Sequence, residues 1–363
     1  MTQFHPLPVV EVHRETADVV AVRLDVPAPL HSTFAYRPGQ HVNVRAVVGD
    51  EPLERTYSIC SDPSEPGIRI AIKRITGGRF STWANASLAP GMSLEVAPPS
   101  GRFVLSPSGG EPRHILAIAA GIGITPVIGV LRQALREEPA SQVSLLYGNR
   151  TVEDIAFREE LEGLKDRHLA RMVLVQVLSR ASDDESPVLG GRIDAVKIRT
   201  LAEPVLAAGQ LTHAYLCGPG SLIREAREVL FDLGLPRERV LHEFFAPAGG
   251  GRAGPRAEPQ PPPHAAEATS HGAEVTAVLD GVRYRFIARP GESIVDAALR
   301  SGVRVPFACK GGMCCTCRAR LLDGSAEMHV NYSLEPWERE KGFILTCQAV
   351  AVSPRLVVDY DQM

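Results

Sequence analysis

The sequence predicts three folded parts of different class: an antiparallel β-barrel, an α/β domain with a doubly wound parallel sheet, and a small α+β domain. Three observations carry this. Short β-branched segments separated by Pro/Gly turns fill the chain up to about Leu105, and alternating strand and helix patterns follow from His114. A Gly/Pro-rich stretch then sets apart the C-terminal segment. The parts read as 1–108, 109–245, a linker at 246–273, and 274–363.

In the first part, strands are expected at Val19–Val26, His41–Val48, Arg55–Cys60 and Ile68–Ile75, with turns at Pro38-Gly39, Gly49-Asp50 and Pro66-Gly67. The second part opens with His114–Ala120, an unbroken run of small apolar residues suited to a strand buried on both faces. Helices at Val127–Glu138, Phe157–Leu164, Asp194–Leu201 and Ser221–Leu233 then alternate with strands at Val143–Tyr147, Met172–Leu178 and Ala214–Cys217. The last part begins with a hairpin, Glu274–Leu279 and Val282–Ile287, around the turn Asp280-Gly281. A helix follows at Ser293–Ser301, and then a cysteine-rich loop.

Composition narrows the function classes. With 363 residues, 44% hydrophobic and 22% charged, the chain is long enough for two or three cores and reads as folded, not fibrous or disordered. A net charge of −3 argues against a generally basic nucleic-acid binder. No apolar run approaches the ~20 residues that span a bilayer. The start, Met1 to Pro6, has neither the basic nor the apolar region of a signal peptide, so a cytoplasmic protein is expected.

Four of the seven cysteines crowd together in a pattern that points to a metal centre rather than to disulfides. The spacing Cys309-x4-Cys314-x2-Cys317, with Cys347 after a further 29 residues, fits a plant-type [2Fe–2S] cluster. Gly311 and Gly312 let backbone N–H groups approach the sulfurs. Zinc is the competing reading, but it favours paired Cys-x2-Cys hooks, of which there is one here. Cys315 falls outside the spacing and is read as a packing residue.

Two further stretches suggest cofactor chemistry. Arg55-Thr56-Tyr57-Ser58 lies on an expected strand whose alternation sets Arg55 and Tyr57 on one face. An arginine fork grips pyrophosphate, a tyrosine covers a flavin ring, and the Ser58 hydroxyl suits the ring nitrogen N5. Gly77-Gly78-Arg79-Phe80-Ser81 opens a helix whose N-terminus favours phosphate. Farther on, Gly121-Ile122-Gly123-Ile124-Thr125-Pro126 follows the first parallel strand. It lacks the G-x-G-x-x-G form, yet Gly121 and Gly123 permit a tight turn, Thr125 is expected to cap the helix, and Pro126 suits its first turn. Cys217-Gly218 closes a later strand at the carboxyl end of the sheet, where ligands bind. Ser179-Arg180 ends another and suits an adenosine 2′-phosphate, although Asp183, Asp184 and Glu185 follow closely and leave NADH open beside NADPH.

Together these motifs resemble the ferredoxin–NADP reductase superfamily carrying a C-terminal plant-type ferredoxin domain of β-grasp fold. The resemblance implies that Arg55, Tyr57, Ser58, Gly78 and Ser81 bind FAD, with Lys73 on the neighbouring flavin-side strand and Glu243-Phe244-Phe245, the end of the reductase module, near the flavin ring. It implies that Gly121, Gly123, Thr125, Pro126, Arg150, Cys217 and Gly218 lie on the nicotinamide side, with Ser179 and Arg180 at the 2′-phosphate. Ser58 and Cys217 are the expected catalytic pair, and Cys309, Cys314, Cys317 and Cys347 the expected cluster ligands. The whole chain is similar to reductase components of multicomponent oxygenases. Supporting runs include Arg37-Pro38-Gly39-Gln40, Tyr147-Gly148-Asn149-Arg150 and Met328 to Glu335. The implied path is NADPH to FAD to [2Fe–2S] to an oxygenase. The implied partner is a di-iron phenylacetyl-CoA oxygenase, ahead of a Rieske-type enzyme such as a 3-ketosteroid 9α-hydroxylase. A reading from another class is a zinc-binding, redox-sensing interaction module.

Overall fold

The computed structural model describes residues 3–106, 108–180, 189–207, 211–244, 272–307, 310–312, 315–331, 333–334 and 336–362. They fall into two compact units, Phe4–Gly251 and, with Met1–Gln3, Arg252–Met363.

The first unit begins with six antiparallel strands: β1 (His5–Thr16), β2 (Val19–Leu24), β3 (His41–Val48), β4 (Glu51–Ser58), β5 (Ile68–Lys73) and, after helix α1 (Arg79–Ser87), β6 (Ser93–Val96). Their order is β4-β3-β6-β1-β2-β5, and the bridge Ile59↔Ile70 joins the two ends into a barrel. Closure removes the exposed edges that an open sheet would carry. The interior is filled by alternating apolar residues such as Leu7, Val22, Val42, Ile70 and Val96, each at most 1% exposed. Strands β1 and β6 were not expected. Pro6 and Pro8 mask β1 as a strand, yet both sit on a segment that pairs with β6 across His5↔Val96 to Pro8↔Ser93. Two register shifts between β1 and β2, at Val9/Glu11 and Arg14/Thr16, bend the 12-residue strand around the barrel.

The same unit continues as β7 (His114–Ala120), α2 (Ile124–Glu137), β8 (Gln142–Asn149), α3 (Arg158–Arg167), β9 (Met172–Leu178), α4 (Ala195–Ala207), β10 (Leu211–Gly218), α5 (Gly220–Asp232) and β11 (Val240–Phe244). These strands form one parallel sheet in the order β11-β10-β7-β8-β9. The chain leaves β7 toward β8 on one side and returns to β10 on the other. The switch point therefore lies between the carboxyl ends of β7 and β10, the place where such sheets take ligands.

Barrel and parallel sheet share one core, in which Val19, Cys60 and Phe103 pack with Ile115, Val127 and Tyr215. The Phe103 and Tyr215 rings meet edge to face at 5.3 Å, and the Tyr215 hydroxyl donates to the Val104 carbonyl at 3.2 Å. Charges reinforce the junction. The Glu160 carboxylate accepts from Arg69 at 3.0 and 3.1 Å and also pairs with Arg132. Nearby, Arg136 pairs with Asp62.

The second unit contains β12 (Ala273–Leu279), β13 (Val282–Ala288), α6 (Ile294–Arg300), β14 (Arg318–Asp323), β15 (Ala326–Met328), α7 (Pro336–Glu340), β16 (Phe343–Leu345), β17 (Ala349–Ala351) and β18 (Arg355–Asp359). Its five-stranded sheet runs β13-β12-β18-β14-β16, with β12 and β18 parallel, and β15 pairs with β17 alone. A mixed sheet packed against a helix is the β-grasp arrangement expected here. The hairpin turn is as read: Asp280 and Gly281 both take positive φ, 53° and 72°. Ser293 caps α6 by accepting the Asp296 N–H at 3.1 Å. Among the described residues no helix is long and apolar enough to cross a membrane.

Candidate functional site

Strand register brings the barrel and the parallel sheet together around one carboxylate. The β3–β4 ladder sets His41 opposite Ser58, and the β10–β11 ladder sets Cys217 opposite Glu243. Across the junction the Ser58 hydroxyl donates to Glu243 Oε2 at 3.5 Å, and His41 Nδ1 lies 3.7 Å from Glu243 Oε1. Ser58 and Cys217 are both buried. Burial, and secondarily the Glu243 charge, pushes the Cys217 thiol well above its ordinary range, so it stays neutral. The expected pair Ser58 and Cys217 thus shares a neighbourhood with Glu243 and His41. His41 was not assigned a role from sequence, and the resemblance set Glu243 near the flavin ring without its contacts, which only the register reveals.

On β4, Arg55 is exposed and its guanidinium donates to the Glu54 carbonyl at 2.7 Å, while the Tyr57 ring packs on Phe80 with centroids 5.8 Å apart. Helix α1 starts at Gly78 with no side-chain cap. The Ser81 hydroxyl accepts the Ile75 N–H at 3.1 Å and donates to the Gly78 carbonyl at 3.3 Å. It is therefore engaged in the turn, and the uncapped N–H groups are what the helix offers a phosphate.

The loop after β7 is shaped by close approach. Gly121 has φ +52°. A Cβ on Gly123 would stand 2.3 Å from the Cys217 carbonyl oxygen, and one on Gly218 would stand 3.3 Å from Ala120 Cβ. Only glycine lets these two loops touch. The expected cap at Thr125 is corrected. Helix α2 begins at Ile124 with Gly123 as its cap residue and no side-chain bond, and Thr125 Oγ1 donates to the Ile122 carbonyl at 2.9 Å. A 3₁₀ turn at Gly121–Gly123 runs straight into α2, and the Ile122 carbonyl, which also takes the Ile124 N–H, accepts the Thr125 hydroxyl because Pro126 has no N–H to offer it. Pro126 sits in the first turn as expected. Helix α2 has no side-chain cap, but its Ile124 N–H is taken by the preceding turn and Pro126 has none, so the glycine loop more than the helix end is what this segment offers a dinucleotide.

Lys73 Nζ lies 3.9 Å from the position of a Cβ on Gly121 and 3.8 Å from Asp18 Oδ2. Arg150 reaches the same oxygen at 3.3 Å and Asp154 at 2.6 Å. Asp18, unmarked in the sequence, thus draws Lys73 and Arg150 together beside the Gly121 loop. Backbone bonds from Ser179 to Asn149 and from Arg180 to Arg150, both 2.9 Å, place the exposed Ser179-Arg180 pair beside Arg150 at the carboxyl ends of β8 and β9. Phe245, Asp183, Asp184 and Glu185 lie outside the described residues.

In the C-terminal unit, Cys309 and Cys314 also lie outside the described residues. Cys317 and Cys347 are 2% and 7% exposed. They flank a ladder, β14 with β16, whose end is fixed by the Thr346 N–H and hydroxyl donating to the Cys317 carbonyl at 3.1 and 2.8 Å. Gln348 donates to the Lys310 carbonyl at 2.7 Å, tying the segment after Cys347 to the loop after Cys309. Lys310, Gly312 and Cys315 all take positive φ, and a Cβ on Gly312 would touch the Val330 carbonyl at 3.0 Å. Thr316 Oγ1 is buried with no partner among the described residues. A tightly wound loop with buried thiols and an orphaned hydroxyl fits a sulfur-bound cluster. Cys315 Sγ donates to Ser333 Oγ at 3.0 Å and packs on the core.

Comparison with known proteins gives these features a family. Residues 6–105 match the oxidoreductase FAD-binding domain, 117–228 the oxidoreductase NAD-binding domain, and 277–352 the 2Fe-2S iron-sulfur cluster binding domain. The chain is 39% identical over 363 residues to a 1,2-phenylacetyl-CoA epoxidase subunit from Escherichia coli (strain K12), covering 99% of each. It is 32% identical to the ferredoxin reductase component of 3-ketosteroid-9-alpha-monooxygenase from Rhodococcus rhodochrous, over 98% of this chain and 96% of that one. Among solved structures, phthalate dioxygenase reductase superposes with a TM-score of 0.59 at 25% identity, covering 98% of both chains. The chain belongs to the ferredoxin reductase superfamily, among the oxygenase reductase components that carry FAD, NAD and 2Fe-2S domains. It is an NAD(P)H-dependent oxidoreductase whose cofactors are FAD, a pyridine nucleotide and a [2Fe–2S] cluster.

Proposed function

We propose that this chain is the electron-delivering reductase of a di-iron phenylacetyl-CoA oxygenase in aerobic phenylacetate breakdown. The observation that carries this is the full-length 39% identity to the phenylacetyl-CoA epoxidase subunit, against 32% for the steroid monooxygenase component. That an oxygenase takes the electrons follows from the family; which oxygenase is the finer step.

When bound, the flavin accepts a hydride as two electrons and passes them on singly, and the cluster takes one at a time. Arg55, Tyr57, Gly78 and the first turn of α1 would hold FAD, with Ser58 donating a hydrogen bond to the ring. Gly121, Gly123, Pro126 and Gly218 would leave room for the nicotinamide ribose and phosphates. Cys217, buried and neutral, adds no charge at the junction and excludes water from it. Ser179 and Arg180, with Arg150 beside them, would favour the 2′-phosphate of NADPH. Cys309, Cys314, Cys317 and Cys347 would hold the cluster.

The test is reconstitution. The purified chain is mixed with the di-iron phenylacetyl-CoA oxygenase subunits, oxygen and NADPH, and loss of phenylacetyl-CoA is followed. Turnover that requires this chain, and runs faster with NADPH than with NADH, is expected. NADPH oxidation without loss of phenylacetyl-CoA would refute the assignment and direct the search to Rieske oxygenases.

A further inference from the structure

Glu338, on α7, is fully buried, its side chain 1% exposed. Its carboxylate lies 3.0 Å from the guanidinium of Arg318, which is itself 13% exposed. The guanidinium carbon of Arg318 stands 3.7 Å above the Phe343 ring. Arg318 directly follows Cys317 and pairs in the β14–β16 ladder with Leu345, two residues before Cys347. An opposed pair of full charges is thus built into the two segments that carry the described cluster cysteines.

Stability is a weak reason for such a pair. Desolvation offsets most of the attraction, and apolar residues of similar volume usually serve as well. Electron arrival gives a stronger one. Reducing a nearby centre adds a negative charge, and in a low-dielectric interior its energy depends on the fixed charges around it. We propose that Arg318 and Glu338 are positioning residues that set the reduction potential of the [2Fe–2S] centre as opposing contributions. Arg318 raises the potential, Glu338 lowers it, and Phe343 holds the guanidinium in place. This rests on the cluster assignment above.

The test uses the full-length protein, with the cluster midpoint followed by redox titration of its EPR signal and the flavin midpoint as internal control. Glu338→Gln removes the carboxylate charge that opposes the arginine, so the cluster midpoint is expected to rise while the flavin midpoint stays. The double variant R318M/E338Q removes both charges and is expected to return toward wild type. Arg318→Lys keeps the charge but loses the fork and the stacking, and is expected to stay near wild type. An E338Q midpoint that is unchanged or lower would overturn the proposal. So would a double variant displaced as far as E338Q, or a displaced R318K, since either assigns the effect to packing. If E338Q fails to assemble its cluster, Arg318→Met decides in its place: its midpoint is expected to fall below wild type, and an unchanged or higher one would overturn the proposal. A wild-type chain without iron, sulfide or an EPR signal would overturn the cluster assignment itself and the proposal with it.

Discussion

Gly123→Ala is the most direct test of how the loop after β7, proposed above to take the nicotinamide, is built. The residue has φ −61° and ψ −7°, a conformation alanine adopts freely. Losing glycine there would on its own stabilise the fold by about 0.4–1 kcal/mol through the unfolded chain. The obstacle is space. The added carbon would lie 2.3 Å from the Cys217 carbonyl oxygen and 2.7 Å from its carbon, both backbone atoms at the end of β10. Ordinary contact needs roughly 3.5 Å, so the start of α2 and the end of β10 must part by about 1 Å. Overpacking of this kind costs roughly 1–3 kcal/mol, which leaves a net loss of up to about 2.6 kcal/mol. For a unit of this size that lowers the melting temperature by up to roughly 10 °C. The catalytic loss is larger, because a shift of about 1 Å in a positioned reactant costs on the order of 100-fold in rate. Stopped-flow reduction of the flavin by NADPH, read beside a thermal melt, measures both. Gly121→Ala is the contrast. Its φ of +52° costs about 1–2 kcal/mol in strain, but the nearest atom to the new carbon is Lys73 Nζ at 3.9 Å, so no backbone moves. A Gly123→Ala protein with an unchanged melt and unchanged hydride-transfer rate would show that the two loops do not touch.

Four further outcomes are expected. Cys347→Ser should lose the normal cluster, seen as missing iron and an altered EPR signal; a full complement of unaltered cluster would refute the ligand assignment. Glu160→Gln leaves Arg69 and Arg132 facing each other with only Glu65, 3.7 Å from Arg132, to offset them, and should cost less than the ~3–5 kcal/mol of a fully uncompensated buried charge in urea unfolding of the first unit, where an unmoved midpoint would deny the junction its charge network. Burial lowers the His213 and His242 imidazoles to about 4, with Arg113 and Arg239 adding to the first and Arg227 to the second. The unfolded chain then binds more protons than the native one between about pH 6.5 and 4. Stability is therefore full above that window and falls as pH drops through it; chemical denaturation at pH 7.5 and 5 checks this, with the loss reduced in a His213→Asn/His242→Asn protein. Asp18→Asn removes the carboxylate shared by Lys73 and Arg150, so KM for NADPH should fall a few-fold, with steeper salt dependence and unchanged kcat. A higher KM would contradict the view that Asp18 competes with the nucleotide for these cations.

What the sequence discloses and what it hides divide along a physical line. Local chemistry is legible: the all-apolar run of β7, the Asp280-Gly281 hairpin, the Ser293 cap and the cysteine spacing each depend on residues close in the chain. So the three fold classes could be read in advance, and most strands lay within a few residues of where they were expected. Thr125 shows the limit even at short range. A hydroxyl before a helical pattern suggests a cap, but the 3₁₀ turn ahead of α2 moves the helix start and gives Thr125 a carbonyl instead of an N–H. Strand β1 was hidden because Pro6 and Pro8 look like strand breakers until β6 is known to pair there.

The contacts that the sequence does not show share one property: their partners are distant in sequence. Glu243 meets Ser58 across 185 positions, and Asp18 meets Arg150 across 132. No periodicity or spacing encodes such a meeting; it exists only once the barrel and the parallel sheet have packed on a common core. The chemistry depends on that packing. Hydride transfer tolerates little misplacement, so flavin-side and nucleotide-side residues must be held to a fraction of an ångström. The shared core at Phe103 and Tyr215 and the Arg69–Glu160–Arg132 cluster supply that rigidity. The [2Fe–2S] motif has no such dependence. Its cysteines lie mostly within nine residues, so it can be read from spacing alone, while the charges proposed to tune it, Arg318 and Glu338, become visible only when β14 and α7 come together.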